Sequence, residues 1–528
     1  MDENNVNEVS NNDQIENDTE VTSKKFKTGR LICSIIFGLL FVTSAALLSL
    51  SVWYENTFNI TFSDLMFTLL SPVSGTGEET VTEIVISCLP AAIACVVVYV
   101  VATILLWKEN KLCKILRRVG AAICALSLVL SVVYTLFAFK IVQHLAMQGG
   151  KSELYETEYI DPADVKITDN DGNAKNLIYI YLESMETTYA SKDVGGEQDG
   201  VNYMPHMTEL AEEHLSFSDG EGLGGFRSIS GTGWTMGALM GTTSGVPFSL
   251  AVFGEGSNNS LGKDGTFLDS MVTIGDILEE KGYNQEFLCG SKASFGGRKT
   301  YFEVHGNYEI FDLYTAREEG YIPEDYYVWW GYEDHILYEI AKNEILELAE
   351  KDEPFNFTML TVDPHHNRGY ICEKCGNDYP VQLANVIQCA DRLLYSFIEW
   401  CKTQDFYEDT TIVIVGDHPR MDMHLVSGVD WYDRTVYNCI INPAVDEPSE
   451  NRTQNRVYTS LDMFPTVLAA MGFEIEGERL GLGTNLFSVV PTLCEKYGEG
   501  RDGYDWLDGE VNKKSDYYID RFVEGKKD

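Results

Sequence analysis

Three long apolar stretches lie in the first 140 residues, running from about Leu31 to Trp53, Ile84 to Trp107 and Gly120 to Phe139. No single soluble domain absorbs all of them. At about 1.5 Å of rise per residue, each covers a hydrocarbon core of about 30 Å as a helix. None shows the polar stripe that a core helix turns toward water. A cleaved signal peptide explains only one such stretch, and an acidic tail precedes the first. The pattern predicts a disordered tail over 1–26 and a three-span membrane region over 27–142.

Lysine and arginine give the orientation. Lys24, Lys25, Lys27 and Arg30 precede the first span, and Lys108, Lys111, Lys114, Arg117 and Arg118 separate the second from the third. Between Tyr54 and Glu83 there is no Lys or Arg, only acidic residues such as Asp64 and Glu79. The N-terminus is therefore expected in the cytoplasm of a multi-pass cell-membrane protein, with everything beyond Phe139 outside. Phe62, Leu65, Met66, Leu69 and Leu70 recur at helical spacing, as in a helix lying at the outer interface or a plain connecting helix.

Charge narrows the function. With 81 acidic against 39 basic residues the net charge is −42, which excludes a nucleic-acid partner and repels anionic substrates at long range. A polar, acidic linker is expected over 143–175, with Asp169-Asn170-Asp171-Gly172 as a turn. Beyond it, 176–182 (NLIYIYL), 355–362 and 410–415 are continuous apolar runs of the kind that form buried parallel strands. Helical patterns such as 269–281 and 382–402 alternate with them. The fold class is α/β, a mainly parallel sheet between helices over 176–490, followed by an acidic C-terminal extension over 491–528.

In such sheets chemistry gathers past the carboxyl ends of the strands. The first strand empties into Glu183-Ser184-Met185-Glu186, the second into Asp363-Pro364-His365-His366-Asn367-Arg368, and the third into Gly416-Asp417-His418. A lone acid at a strand end is usually a helix cap; three such ends together point to one site. Gly231-Thr232-Gly233-Trp234-Thr235 precedes a helix start, where free N–H groups welcome phosphate, although either threonine also serves as a simple cap. The chain has no G-x-x-x-x-G-K-[ST] loop, G-x-S-x-G elbow or H-E-x-x-H helix. The C-x-x-C of Cys372 and Cys375 has no second pair, so a local disulfide rather than a metal site is the expectation there. Tyr326-Tyr327-Val328-Trp329-Trp330 reads as packing first and as a sugar-binding surface second.

The segments NLIYIYLESMETTY, GTGWT, TVDPHH and VIVGDH, in this order, resemble the lipoteichoic acid synthase and membrane phosphoglycerol transferase family of the alkaline phosphatase/sulfatase superfamily. The resemblance runs from about residue 27 to 490 and is nearer the osmoregulated-glucan phosphoglycerol transferase branch. It implies Glu183, Asp417 and His418 as metal ligands with Thr235, which is also the nucleophile. It further implies His365 as a catalytic residue beside the transferred group and Arg298 as a phosphate-binding residue. Cys289, Ser291 and Gly296 stand where the synthases carry histidine, aspartate and tryptophan.

An oxygen-rich donor set suits Mn2+ or Mg2+. The implied reaction takes phosphoglycerol from a phosphatidylglycerol-type lipid through a threonine ester to a glycan, glycolipid or polyglycerolphosphate acceptor. A phosphoethanolamine transferase or a lipid phosphodiesterase of the same superfamily shares these groups. A formylglycine sulfatase does not, because the C/S-x-P-x-R sequence is missing: Cys88-Leu89-Pro90 lies in a span and lacks the arginine.

Overall fold

The computed structural model describes residues 4–58, 60, 65–66, 78–108, 110–147, 150–169, 172, 174–249, 265–365, 367–445 and 453–526. Two compact units emerge, one of 1–57 with 78–142 and one of 58–77 with 143–528.

The first unit is three helices, α1 (Asn4–Thr57), α2 (Glu78–Leu105) and α3 (Lys111–Ala138). Each is long and apolar enough to cross a membrane, over Thr28–Thr57, Ile84–Leu105 and Lys111–Ala138. Their burial is inverted relative to a soluble protein. Ser44, Ser51 and Ser131 are buried, whereas Leu39, Ile86, Ile104 and Leu130 are each at least 60% exposed. Hydroxyls join the helices: Ser51 Oγ and Thr135 Oγ1 lie 2.9 Å apart, and Tyr99 donates to the Ser34 carbonyl at 2.6 Å. Polar groups turned inward and aliphatic ones outward are what hydrocarbon as solvent selects. Two expectations change. The tail is not irregular from Asn4 onward, because extending a helix already nucleated by an apolar span is cheaper than starting one. The third helix begins at Lys111, so its basic residues occupy the first turns rather than a loop. Of the interfacial segment only Leu65 and Met66 fall within the described residues; Phe62, Leu69 and Leu70 lie outside them.

Among the described residues eleven strands organise the second unit: β1 (Ile167–Asp169), β2 (Asn176–Leu182), β3 (Gly225–Phe226), β4 (Asn284–Cys289), β5 (Glu309–Phe311), β6 (Phe355–Leu360), β7 (Thr410–Gly416), β8 (Val436–Ile441), β9 (Phe473–Ile475), β10 (Arg479–Leu480) and β11 (Gly483–Thr484). Seven form the main sheet in the order β3-β8-β7-β2-β6-β4-β5. Its centre, β7-β2-β6-β4-β5, is parallel, and β8 and β3 add antiparallel to one edge. Every residue of β6, β7 and β8 is buried, which accounts for their mainly apolar sequences. Ile178, Ile180, Phe357, Met359, Ile412 and Ile414 pack on one face against a helix over Gln382–Cys401, whose Leu383, Ile387, Leu394 and Ile398 recur at helical spacing. On the other face the Tyr181 hydroxyl meets Thr242 Oγ1 at 2.8 Å, in a helix over Thr235–Ser244.

The expected linker is partly structural. β1 pairs with β9, and Leu154 and Tyr155 are buried. Asn170 and Asp171 of the expected turn lie outside the described residues. Nor is the C-terminal extension only a solvated tail. Tyr504, Leu507, Tyr518 and Phe522 are buried, Tyr155 packs edge-on against Tyr518, and Arg521 pairs with Asp161 at 2.5 Å. Aromatic residues spaced among the acids anchor it.

Glu286 in β4 is the misfit of this sheet. It is buried beside Glu344 and Glu309, and burial, reinforced by those charges, pushes its carboxyl up to about 9. An acid whose folded pKa is raised favours the fold below its unfolded pKa and loses that contribution as pH climbs through the folded value. Glu286→Gln is expected to raise thermal stability by roughly 1–3 kcal/mol near pH 7.5 and by little near pH 4, read by melting at both pH values.

Candidate active site

β2 lies between β7 and β6, so the chain leaves the same sheet edge at three adjacent points. Leu182 is in register with Gly416, and Tyr181 with Leu360. The next residues, Glu183 and Asp417, are neighbours for that reason. Backbone hydrogen bonds lock them: Glu183 N–H donates to Thr361 Oγ1 at 2.9 Å, Ser184 N–H to Asp417 Oδ1 at 2.7 Å, and Asp417 N–H to the Leu182 carbonyl at 3.1 Å. Ser184 takes φ +51°, a sparsely populated conformation for a non-glycine residue. A Cβ on Gly416 would sit 1.9 Å from the Met185 carbonyl oxygen, so only glycine lets the two turns close.

Glu183, Asp417 and His418 present ligand atoms all within 4.8 Å of one another. His418 Nε2 is 3.9 Å from Glu183 Oε1 and 3.3 Å from Asp417 Oδ2. Its Nδ1 is 2.9 Å from the Pro419 carbonyl, an acceptor only, which assigns the proton to Nδ1 and leaves the Nε2 lone pair facing the carboxylates. Both acids are buried, and among the described residues neither pairs with a lysine or arginine. Burial, together with the Glu183 charge, pushes Asp417 up to about 7. Burial also opposes ionisation of Glu183, but His365, His418 and the Ser184 hydroxyl outweigh it and hold its pKa below the ordinary value. Asp417 Oδ2 is buried without a hydrogen-bond donor. Two such carboxylates and an imidazole lone pair fit a divalent cation.

Thr235 opens the Thr235–Ser244 helix and is half-buried, with its Oγ1 donating to Glu183 Oε2 across 3.5 Å. Thr232 is fully buried and spent on both the N–H and the carbonyl of Ile229. Thr232 thus shapes the turn, while Thr235 faces Glu183.

His365 stays outside the three-ligand group. Its ring packs 4.6 Å from Trp330, and it acts electrostatically on Glu183. His366 lies outside the described residues. Arg298 is buried and held by its own loop, donating from Nε to the Phe295 carbonyl and from one terminal nitrogen to Ser291 Oγ and the Lys292 carbonyl. Gly296 in that loop faces Met236, the residue after Thr235. Cys289 and Ser291 are buried, and Ser291 serves Arg298. The aromatic segment divides its roles: Trp330 touches His365 and Phe295, Tyr327 is 48% exposed, and the Tyr326 hydroxyl bonds Glu333.

Motif reading missed a buried ionic lattice that joins the three loops. Arg434 grips Glu186 with two nitrogens, at 2.6 and 2.9 Å, and donates to the Arg420 carbonyl. Arg420 pairs with Asp422 and donates to the Pro364 carbonyl, in the loop of His365. All four charged side chains are at most 1% exposed. The only local signal was the sequence Pro419-Arg420-Met421-Asp422.

This α/β unit, with its acids and imidazole past the carboxyl ends of β2 and β7 and a hydroxyl at a helix start, defines a sulfatase-type hydrolase or transferase. The chain belongs to the sulfatase family, whose model matches residues 175–473. It is 28% identical to phosphoglycerol transferase I of Xanthomonas campestris pv. campestris (strain B100) over 60% of this chain and 43% of that protein. The same enzyme of Salmonella choleraesuis (strain SC-B67) is 28% identical over 70% of this chain and 46% of the relative. The chain thus spans less than half the length of these relatives. Among solved structures, an alkaline phosphatase superfamily protein from Vibrio parahaemolyticus aligns with a TM-score of 0.48 at 22% identity, covering 67% of this chain and 79% of that one. Streptococcus pyogenes phosphoglycerol transferase GacH, in complex with sn-glycerol-1-phosphate, aligns at 0.41 and 14%, covering 70% and 89%.

Two outcomes are expected. Mn2+ should raise the melting temperature of the wild-type chain but not of Asp417→Asn, while Asp417→Asn without metal should melt above metal-free wild type at pH 8, where the buried acid is ionised. Arg420→Met should lower stability by about 3–5 kcal/mol in denaturant melts, because Asp422 is left as an unpaired buried charge.

Proposed function

We propose that the chain transfers phosphoglycerol from a phosphatidylglycerol-type membrane lipid to a hydroxyl of an extracytoplasmic glycan, glycolipid or polyglycerolphosphate. The observation that carries this reading is the Thr235 hydroxyl at a helix N-terminus, turned toward Glu183 in a cluster built for a cation. Free N–H groups at that helix start favour an incoming phosphate, and the helix dipole adds to this. Glu183, Asp417, His418 and the Thr235 oxygen would hold Mn2+ or Mg2+, which supplies positive charge that acidifies the hydroxyl and neutralises the phosphate.

Thr235 Oγ1, its proton already lost to solvent, attacks the lipid phosphorus as an alkoxide; the bond to the diacylglycerol oxygen breaks, and phosphoglycerol remains as a threonine ester. His365 gives its proton to the departing alkoxide. An acceptor hydroxyl then attacks the same phosphorus, passes its proton to His365 and frees Thr235 again as the alkoxide. Arg298 pairs with phosphate oxygens, against the long-range repulsion of a net charge of −42. Trp330, edge-on to Phe295 and tilted against His365, forms one wall there, where Cys289 and Ser291 stand in place of the synthases' histidine and aspartate.

Membrane helices have a direct use here, because the donor never leaves the bilayer. The basic residues at Lys24–Arg30 and Lys108–Arg118 support an N-terminus inside and the larger unit outside. Threonine at the helix start favours phosphoryl over sulfuryl chemistry, since formylglycine forms from cysteine or serine. Among the two-carbon and three-carbon head groups, the similarity to phosphoglycerol transferase I supports glycerol.

Proteoliposomes containing head-group-labelled phosphatidylglycerol test the proposal. The wild-type chain should release diacylglycerol and label an added acceptor. Thr235→Ala should lower release by at least about a thousandfold, with partial activity in Thr235→Ser. Release by Thr235→Ala at the wild-type rate, or transfer from phosphatidylethanolamine alone, would overturn the nucleophile or the donor respectively.

A further inference from the structure

The loop after β6 carries Cys372 and Cys375, and the Gln382–Cys401 helix brings Cys389 to the same point. No sulfur is bonded to another: Cys372 Sγ is 3.7 Å from Cys375 Sγ and 3.9 Å from Cys389 Sγ. The disulfide expected for the C-x-x-C pair is therefore not what the structure holds. The three ligand atoms all fall within 4.8 Å of one another, with Cys372 and Cys389 buried and Cys375 half-buried.

We infer that these cysteines form a second metal site, distinct from the carboxylate cluster, that binds a thiophilic divalent cation of the zinc type. A tetrahedral thiolate site with metal–sulfur bonds of about 2.3 Å has sulfur–sulfur edges of about 3.8 Å. The separations of 3.7 and 3.9 Å match that edge. A disulfide would consume two thiols and strand the third, whereas a cation uses all three.

The local backbone is also that of a metal-binding knuckle. Cys375 N–H donates to the Cys372 carbonyl at 3.1 Å, closing a tight turn, and Gly376 follows. The fourth vertex falls to an oxygen from water. Asp363, 3% exposed and with both carboxylate oxygens lacking a hydrogen-bond partner, lies near enough for the charge of Cys372 to act on it.

Such a site would tie the loop of Asp363 and His365 to the Gln382–Cys401 helix. The same loop is fastened from the other side by Arg420, through the Pro364 carbonyl. Oxygen-rich and sulfur-rich donor sets select different cations, so one chain can load both.

X-ray absorption at the zinc edge tests this, using the Asp417→Asn chain purified in detergent with zinc and without chelator, so that the carboxylate site is disabled. Expected are one zinc per chain and three sulfur scatterers at about 2.3 Å with one oxygen or nitrogen. Cys375→Ser/Cys389→Ser in the same background should lose that sulfur signal, and the parent spectrum decides the matter should the double variant fail to fold. A spectrum with oxygen and nitrogen scatterers only would overturn the site. So would an intact mass two daltons below the fully reduced chain, with a cross-link at Cys372. Neither readout depends on turnover, so the proposed transferase activity can fail while this site stands.

Discussion

Two carboxylates that ordinary folding would keep apart meet at the edge of a parallel sheet. Glu183 and Asp417 are buried, are matched by no lysine or arginine among the described residues, and sit beside the imidazole of His418. Like charges in a low dielectric repel strongly, and each pays a desolvation cost besides. The push on Asp417 to about 7 records that tension. A divalent cation held there would relieve it, so the feature that weakens the metal-free protein is the one that would give the site affinity.

The surrounding architecture serves to hold that pair. Parallel pairing of β2 with both neighbours brings three loops to one edge, and the Glu186–Arg434 and Arg420–Asp422 pairs bind those loops together from beneath. Buried ion pairs add little net stability, but removing one partner leaves an uncompensated charge. They therefore fix geometry more than they strengthen the fold. The Thr235–Ser244 helix docks on the same sheet through Thr242 and Tyr181, which sets the hydroxyl of Thr235 against Glu183.

Much of this was legible because buried parallel strands leave an unmistakable trace. An uninterrupted run such as NLIYIYL has few alternatives, and the acids directly behind three such runs were in plain view. The membrane spans were visible for the same reason, although Lys111–Arg118 joined the third helix rather than a loop. What escaped were features made by distant residues. Glu186 and Arg434 are separated by 248 positions, and nothing near either marks the other as its partner. Cys389 sits in an amphipathic helix where a buried cysteine reads as core, so its approach to Cys372 was invisible. Acidic composition likewise hid the aromatic anchors Tyr504, Tyr518 and Phe522, which turn an apparent tail into part of the fold.

Anomalous diffraction from crystals of the chain grown with Mn2+ tests the central claim most directly. Expected is a single strong manganese peak between Glu183, Asp417 and His418, within about 2.3 Å of an oxygen or nitrogen from each and facing Thr235 Oγ1. An empty carboxylate cluster at saturating Mn2+, or a peak bound only elsewhere, would contradict it.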